Sequence, residues 1–471
     1  MPLRTFLISA LVLAAFPGAR APSNLDTESN RPGEAYQVGW RARIPAVSGL
    51  LRTGARDLPR LRGAQAPGER TQKEVTAYTL PPDLYRKARR LGQISFWGNL
   101  AAPLYSWAVL LAILGWRLGP KYRKSSEAIT RSTFLQAWIF VPPLLFTIDL
   151  LTIPLDIAEE WISHKFGLSI ESWASWLWDW TKAEIIVLIG GTLIIWILYA
   201  VIRRWPRRWW FYFWLVSLPI MALVVFAHPV IIDPLFHNFV PLEQKDPALV
   251  SSLEKMVHRA GQTIPPERLF WMDAGRKTTE LNAYVTGIGA SKRIVLWDTT
   301  IAKMDTPQIV YVAGHEMGHY VLNHIWKGLG LGALGLLVLF YAGFRTIGWL
   351  LGRPGARWEI RGVADWASLP ALLLLVSVFS FIGTPIGSAV SRHFEHQADQ
   401  YGLEVTHGLT PDSGEVAAQS FQILGEVGLA DPAPNPVDVF LFYSHPPIPE
   451  RIRFALTYDP WVHGGLSKWA N

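Results

Sequence analysis

The run His315-Glu316-Met317-Gly318-His319 places two imidazoles four positions apart with a carboxylate between them. On a helix, side chains at that spacing stand one turn above each other. Both rings can then reach one divalent cation while Glu316 points beside it at a cation-bound water. The flanking sequence supplies the helix: Thr306 reads as its N-cap, Pro307 as a first-turn residue, and Tyr311 to Tyr320 as its body, ending near Asn323. Ile309, Val310, Val312, Ala313, Met317 and Val321 make this helix apolar, a setting in which ionisable groups are costly unless paired or metal-bound.

Two histidines leave a catalytic zinc site one protein ligand short, with the fourth position kept for water. The chain has no cysteine, so the third ligand is a His, Asp or Glu. Ser391-Arg392-His393-Phe394-Glu395-His396-Gln397-Ala398-Asp399 offers Glu395, and Asp399 one turn later can accept the outer N–H of a ligand imidazole. His393 and His396 are rival ligands, though neither shares a helix face with both Glu395 and Asp399. One zinc ion per chain is the expected cofactor. Zinc lowers the pKa of its water to about 7 and polarises a carbonyl, while a nearby carboxylate moves the proton; Glu316 fits that role. A tetrahedral intermediate needs further donors, for which His445 and Arg451 are candidates, a helix cap and a salt bridge being the alternative reading. A strand over 281–286, if it lies at a sheet edge, offers backbone groups to an extended peptide, with Asn282 either a clamp or a turn residue. His324, five positions past His319, points to another face and reads as a polar partner or helix-end residue.

These residues must be positioned by a chain that is 50% hydrophobic and only 17% charged over 471 residues, too apolar for an ordinary soluble protein. Six windows, 96–116, 134–154, 184–202, 209–230, 329–350 and 367–390, can each cross a hydrocarbon core, which takes about 17–25 helical residues. Trp97, Trp116, Trp138, Trp209, Trp210, Trp349 and Trp366 sit near window ends as an aromatic belt. Residues 1–21 read as a signal peptide or short N-terminal anchor, and 22–75 as a mobile exported segment. Between the fourth and fifth windows the pattern turns mixed, with a helix over 246–261 and strands over 268–272, 281–286 and 293–297.

With the start exported, segments 117–131, 203–208 and 351–366 are cytoplasmic; they hold five, four and three Lys or Arg, against two in 155–183. Arg86, Lys87, Arg89 and Arg90 before the first window argue the opposite way. The charge balance therefore predicts a multi-pass protein with its catalytic region on the exported side. The net charge of +7 is densest at Arg203-Arg204-Trp205-Pro206-Arg207-Arg208, between two apolar windows, which fits membrane lipids and not nucleic acid.

His315-Glu316-x-x-His319, the Ser391-Arg392-x-x-Glu395-x-x-Ala398-Asp399 stretch, Asn282-Ala283-Tyr284 and His445-Pro446-Pro447-x-x-Glu450-Arg451 resemble the CAAX prenyl protease type 1 family of integral-membrane zinc metalloendopeptidases, of the gluzincin type. The likeness extends to His164-Lys-Phe-Gly-Leu168 and Asp233-Pro-Leu-Phe-His-Asn-Phe-Val-Pro-Leu242, covering about 78–457. The resemblance implies zinc held by His315, His319 and Glu395, Glu316 as general base, Asn282 and Ala283 on the substrate backbone, and His445 and Arg451 facing the oxyanion. It implies helices that enclose a chamber and, in eukaryotic members, cleavage near the C-terminus of prenylated proteins. Family members have seven crossings, which this chain matches only if the apolar stretch near its start is retained.

The expected fold is a membrane α-helical bundle of six or seven transmembrane helices with an inserted small α+β zincin-like metalloprotease domain. In this reading 76–230 holds the first transmembrane helices, 231–328 the metalloprotease domain, 329–390 the last two transmembrane helices, and 391–471 the part carrying the third ligand. The expected function is a membrane zinc metalloendopeptidase acting on peptides or proteins, lipidated ones among them. A quality-control metalloprotease and a non-catalytic membrane protein with a structural metal are the alternatives. Glu316 speaks against the latter, since a structural site has no use for a carboxylate beside its metal.

Overall fold

A computed structural model of the chain describes residues 74–470 except 288, 353 and 354. The expected N-terminal signal or anchor (1–21) and nearly all of the exported segment (22–75) lie outside the described residues. Helix α1, Pro82–Gly115, starts with proline at N1 and Asp83 in its first turn, both suited to a helix N-terminus. After α2 (Leu118–Ile129) come α3, Thr133–Phe166, stopped by Gly167 at φ 76, and α4, Trp173–Arg204, capped by Ser172 and finished by Arg203 and Arg204. Helix α5, Trp209–Ala227, runs on through a π-turn to Leu235.

Among the described residues, six helices are long and apolar enough to cross a membrane: α1, α3, α4, the extended α5, α9 (His324–Gly352) and α10 (Leu369–Thr406 with its preceding turn). Each expected window falls on one of them. Leu104, Leu223, Val338 and Ile386 remain exposed along these helices, as side chains facing lipid must. The helices outrun the windows. At about 1.5 Å per residue, the 38 residues of α10 reach about 57 Å, nearly twice a hydrocarbon core of about 30 Å. The same helix therefore crosses the membrane and carries Glu395 beyond it.

The three basic segments meet at one end of the bundle. Arg117 pairs with Glu359 at 2.7 Å, Arg361 with Glu127 at 2.8 Å, Arg123 with Asp365 in a buried pair, and Arg203 lies over Trp366 at 4.3 Å. At the other end, the α3–α4 connection docks on the segment before the third strand: Ile170 N–H donates to Lys277 O and Thr279 N–H to Leu168 O, both at 2.9 Å.

That second end carries a mixed sheet of β1 (Phe239–Pro241), β2 (Leu269–Met272), β3 (Ala283–Thr286) and β4 (Arg293–Trp297) in the order β1-β2-β4-β3. Strands β2 and β4 run parallel, the outer pairs antiparallel, and β3 is an edge. Helix α6, Pro247–Arg259, is capped by Asp246; α7, Asp298–Lys303, leads into α8, Thr306–Val321. The cap of α8 is Asp305, not Thr306. The Asp305 side chain and Gln308 form a reciprocal capping box, which moves the helix start one residue earlier than read from sequence. After α10 follow α11 (Ser413–Val427), α12 (Pro436–Phe442) and α13 (Ile448–Thr457). One hydrophobic core joins α11, α13 and the far half of α10 to α6, α8 and the sheet, through Leu253, Leu296, Tyr311, Tyr401, Phe421 and Ile452.

Helices α8 and α10 meet through small residues. A Cβ on Gly318 would lie 3.0 Å from Tyr401 Cβ and 3.2 Å from Ala398 Cα; one on Gly314 would lie 2.9 Å from Val405 Cγ1. Neither Tyr401 Cβ nor Ala398 Cα can rotate away. Gly318→Val is expected to push the helices apart, destabilising by about 1–3 kcal/mol and reducing bound metal. Thermal unfolding and elemental analysis check this; unchanged values in both would show that the contact is slack.

Candidate metal centre

Helix α8 presents His315 and His319 on one face with their Nε2 atoms 3.3 Å apart. Helix α10 brings Glu395 between them, with Oε2 3.3 Å from His315 Nε2 and Oε1 3.5 Å from His319 Nε2. The three ligand-capable atoms lie within 4.8 Å of one another. Glu395 Oε2 is buried and accepts no hydrogen bond from the protein. A buried anionic oxygen without a donor, set between two imidazole nitrogens, is what a bound divalent cation satisfies.

A second layer fixes the rings. Asp399, one turn after Glu395, lies with Oδ1 2.9 Å from His315 Nδ1, so a proton held on Nδ1 leaves the Nε2 lone pair for metal. His319 is set by a longer relay. His324 Nε2 donates to Gln397 Oε1 at 3.0 Å; neutral His324 then has Nδ1 as acceptor, 3.2 Å from His319 Nδ1. His319 must donate from Nδ1, which again frees Nε2. The His324 ring is held by stacking on Phe394, 4.4 Å between centroids. The sequence reading had His324 as a polar partner on another face. Asn323 at φ 59 breaks the periodicity, so that α9 starts afresh and turns His324 back toward His319. An asparagine between two helical patterns was the available signal.

Glu316 lies with Oε1 4.0 Å from His315 Nε2. Its side chain keeps a 24% exposed edge, while burial by the surrounding protein pushes its carboxyl up to about 7. Burial pushes His319 down to about 3. For His315 burial acts in the same direction but is outweighed by Asp399 and Glu395, which raise it to about 10. His445, from the loop before α13, sets Nε2 3.2 Å from Glu395 Oε2 and shares a hydrogen bond with Ser444 at its Nδ1.

Arg451 reaches the centre through Asp399. Its Nε donates to Oδ2 at 2.9 Å and a terminal nitrogen to Oδ1 at 2.5 Å, with the guanidinium over Phe421 at 4.2 Å. The oxyanion position implied by resemblance is thus not where two of its nitrogens lie. Asn282 precedes β3, which packs against α8; its Oδ1 accepts from Ala283 N–H at 2.8 Å, and its own N–H donates to Thr300 Oγ1 at 2.9 Å. His393 and His396, the rival ligands, pack instead near Phe394 and on Phe454.

Residues 243–459 match the family model for Peptidase family M48, and residues 67–238 match that for the CAAX prenyl protease N-terminal region, five membrane helices. A relative in Bacillus subtilis (strain 168), named Uncharacterized metalloprotease YhfN, is 38% identical over 82% of this chain and 88% of its own. The chain belongs to peptidase family M48. Another M48-like relative, CAAX prenyl protease 1 of Saccharomyces cerevisiae, is 24% identical over 83% of this chain and 91% of its own. The crystal structure of S. mikatae Ste24p has the same fold, with a TM-score of 0.68 at 24% identity, covering 80% of this chain and 90% of that one. This M48 chain is an integral, multi-pass membrane metalloprotease.

The His324 relay gives a test specific to this M48 centre. His324→Phe keeps an aromatic ring on Phe394 but removes the acceptor for His319, and is expected to weaken metal binding by about 10-fold or more with little change in melting temperature. Competition against a chelator of known affinity measures it; wild-type affinity would remove His324 from the second layer.

Proposed function

We propose that this membrane metalloprotease is a zinc endopeptidase with His315, His319 and Glu395 as ligands and Glu316 as general base. One observation carries the choice of metal. Four-coordinate zinc with bonds of about 2.1 Å sets its ligand atoms about 3.4 Å apart; the two imidazole Nε2 atoms here are 3.3 Å apart, and Glu395 brings one oxygen to 3.3 Å from the first and its other oxygen to 3.5 Å from the second. Larger hard cations such as calcium take six to eight oxygens, which this nitrogen-rich set does not offer.

When bound, zinc supplies a water of lowered pKa and polarises the scissile carbonyl. Glu316 accepts the proton of the attacking water and returns it to the leaving amine. His445, beside Glu395 and 45% exposed at its side chain, is placed to donate a hydrogen bond to the oxyanion. Arg451 acts through Asp399, holding the carboxylate that orients His315. The free edge of β3 accepts an extended peptide as an added strand, with Asn282 and Ala283 at its start. Endoproteolysis of membrane-associated proteins follows, and the names of the CAAX prenyl protease relatives support lipidated substrates among them. The gathering of three basic segments at the end opposite the sheet supports a cytoplasmic placement for that end and an exported one for the catalytic part.

Glu316→Gln is expected to retain about one zinc per chain while lowering peptide cleavage by 100-fold or more. Glu395→Ala is expected to lose the metal and with it all activity. Turnover by the first variant, or full zinc occupancy in the second, contradicts these assignments. Mass spectrometry of products from prenylated and unprenylated forms of one peptide reads the substrate class directly. The chain has no cysteine, so a single Lys124→Cys reports topology cleanly. The proposed orientation requires it to resist an impermeant thiol reagent in intact cells, and ready labelling inverts it.

A further inference from the structure

The end of the bundle where the basic segments meet holds a half-open pocket of about 350 Å³, with Glu127, Gln136, Arg203, Arg361, Asp365 and Trp366 in its lining. The charges there are unevenly matched. Glu127 is held by Arg361 at 2.8 Å, while Asp365 is taken by the buried Arg123 and by the Arg361 backbone N–H at 2.9 Å. Both carboxylates are therefore neutralised by other arginines. Among the described residues, Arg203 forms no ion pair and donates no hydrogen bond; its contacts are to rings, Trp366 at 4.3 Å and Tyr199 at 5.5 Å.

Those rings form a fixed platform. Trp366 Nε1 donates to Gln136 Oε1 at 3.1 Å, the Tyr199 hydroxyl pairs with Ser368 Oγ at 2.7 Å, and both aromatic side chains are buried. A guanidinium resting on aromatic faces keeps its in-plane N–H groups for another partner, and their fork matches phosphate. We propose that this pocket binds the phosphodiester headgroup of an anionic membrane phospholipid, with Arg203 as the residue that holds the phosphate.

Placement favours a lipid over a free phosphate. Arg203 lies in the last turn of α4, a helix apolar enough to span the membrane, where a headgroup sits at the end of the hydrocarbon region. Arg204, Arg207 and Arg208 follow in sequence and keep the surface around the pocket positive, a diffuse attraction for anionic lipid distinct from the pocket itself. The pocket volume falls within the range of small-molecule sites. The site is remote from the metal. Helix α4 begins beside the docked Lys277 segment and ends at Arg204, 32 residues or about 48 Å away.

The test is thermal unfolding of the full chain in detergent with added phosphatidylglycerol, phosphatidylcholine or inorganic phosphate. Phosphatidylglycerol is expected to raise the melting temperature by a few degrees, and the other two to leave it unchanged. Arg203→Gln, and Ala364→Phe, which fills the pocket and removes no charge, should each at least halve that shift. Arg207→Gln should retain it, and all three should cleave peptide at the wild-type rate in lipid-free detergent. If Arg203→Gln does not fold, Ala364→Phe decides alone. A phosphatidylglycerol shift that survives in full in folded Arg203→Gln or Ala364→Phe, or its absence in the wild type, overturns the site. Equal protection by inorganic phosphate overturns the lipid assignment in favour of a free anion.

Discussion

The metal centre rests on two helix backbones coming unusually close. On α8 the small residues Gly314 and Gly318 form one stripe, and on α10 Ala398 and Gly402 form another; a Cβ on Gly402 would lie 3.2 Å from His315 N. The proposed ligands run one position further round on each helix: His315 and His319 follow the α8 glycines, and Asp399 follows Ala398 with Glu395 one turn before it. Closing the small stripes therefore brings the stripes of chemical side chains across the same gap. The arrangement uses the logic by which small residues four apart let helices pack tightly in membranes, here where the last crossing has left the bilayer.

Close packing also dictates the electrostatics. Glu395, Asp399, His315 and Arg451 are all buried, so each charge needs a neighbour of opposite sign. Arg451 neutralises Asp399, and that carboxylate can then accept from His315 without leaving a net negative charge in the core. Glu395 has no equivalent partner, because its Oε2 faces His315 and His445 and its Oε1 faces His319, all imidazoles. The row from Arg451 inward thus ends on an anion that only a cation or a protonated imidazole completes. Two of the Arg451 nitrogens are thereby committed to Asp399, the salt bridge that a sequence reading carries as the alternative to an oxyanion role.

What the sequence showed and what it hid divide along the range of the interactions. Four-residue spacing made His315, His319, Glu395 and Asp399 legible, because helical periodicity is a local rule. Runs of apolar residues gave the six crossings for the same reason. His324 was misplaced in angle because Asn323, with its left-handed φ, resets the helix between them. The α8 cap moved from Thr306 to Asp305 because two adjacent residues could both cap, and side-chain reach to the N3 amide decided it. The short β1 strand was missed since three residues carry no period, and its pairing to β2 is supplied by a partner some thirty residues on. The tight contacts of Gly314, Gly318 and Gly402 required knowing which helices meet. Sequence periodicity does not carry that.

The bundle and the sheet are joined by a link with the same character. Lys277 is buried, donates to Phe236 O at 2.7 Å and faces Asp179 of α4 at 3.6 Å; Lys182 holds the other oxygen of Asp179 at 2.6 Å and donates to Leu235 O at 2.9 Å. Burial pulls the Lys277 amine down to about 8, a sign that its pairing with Asp179 offsets the desolvation only in part. Replacing such a pair by apolar residues would often be neutral for stability, so its value here lies in register. Lys277 stands a few residues before Asn282 and the edge strand β3, and the backbone at Lys277 and Thr279 is pinned to the α3–α4 connection through Ile170 and Leu168. An apolar contact could slide along that seam. A buried charge pair with backbone bonds cannot, and it fixes where β3 stands relative to α4 and the α3–α4 connection.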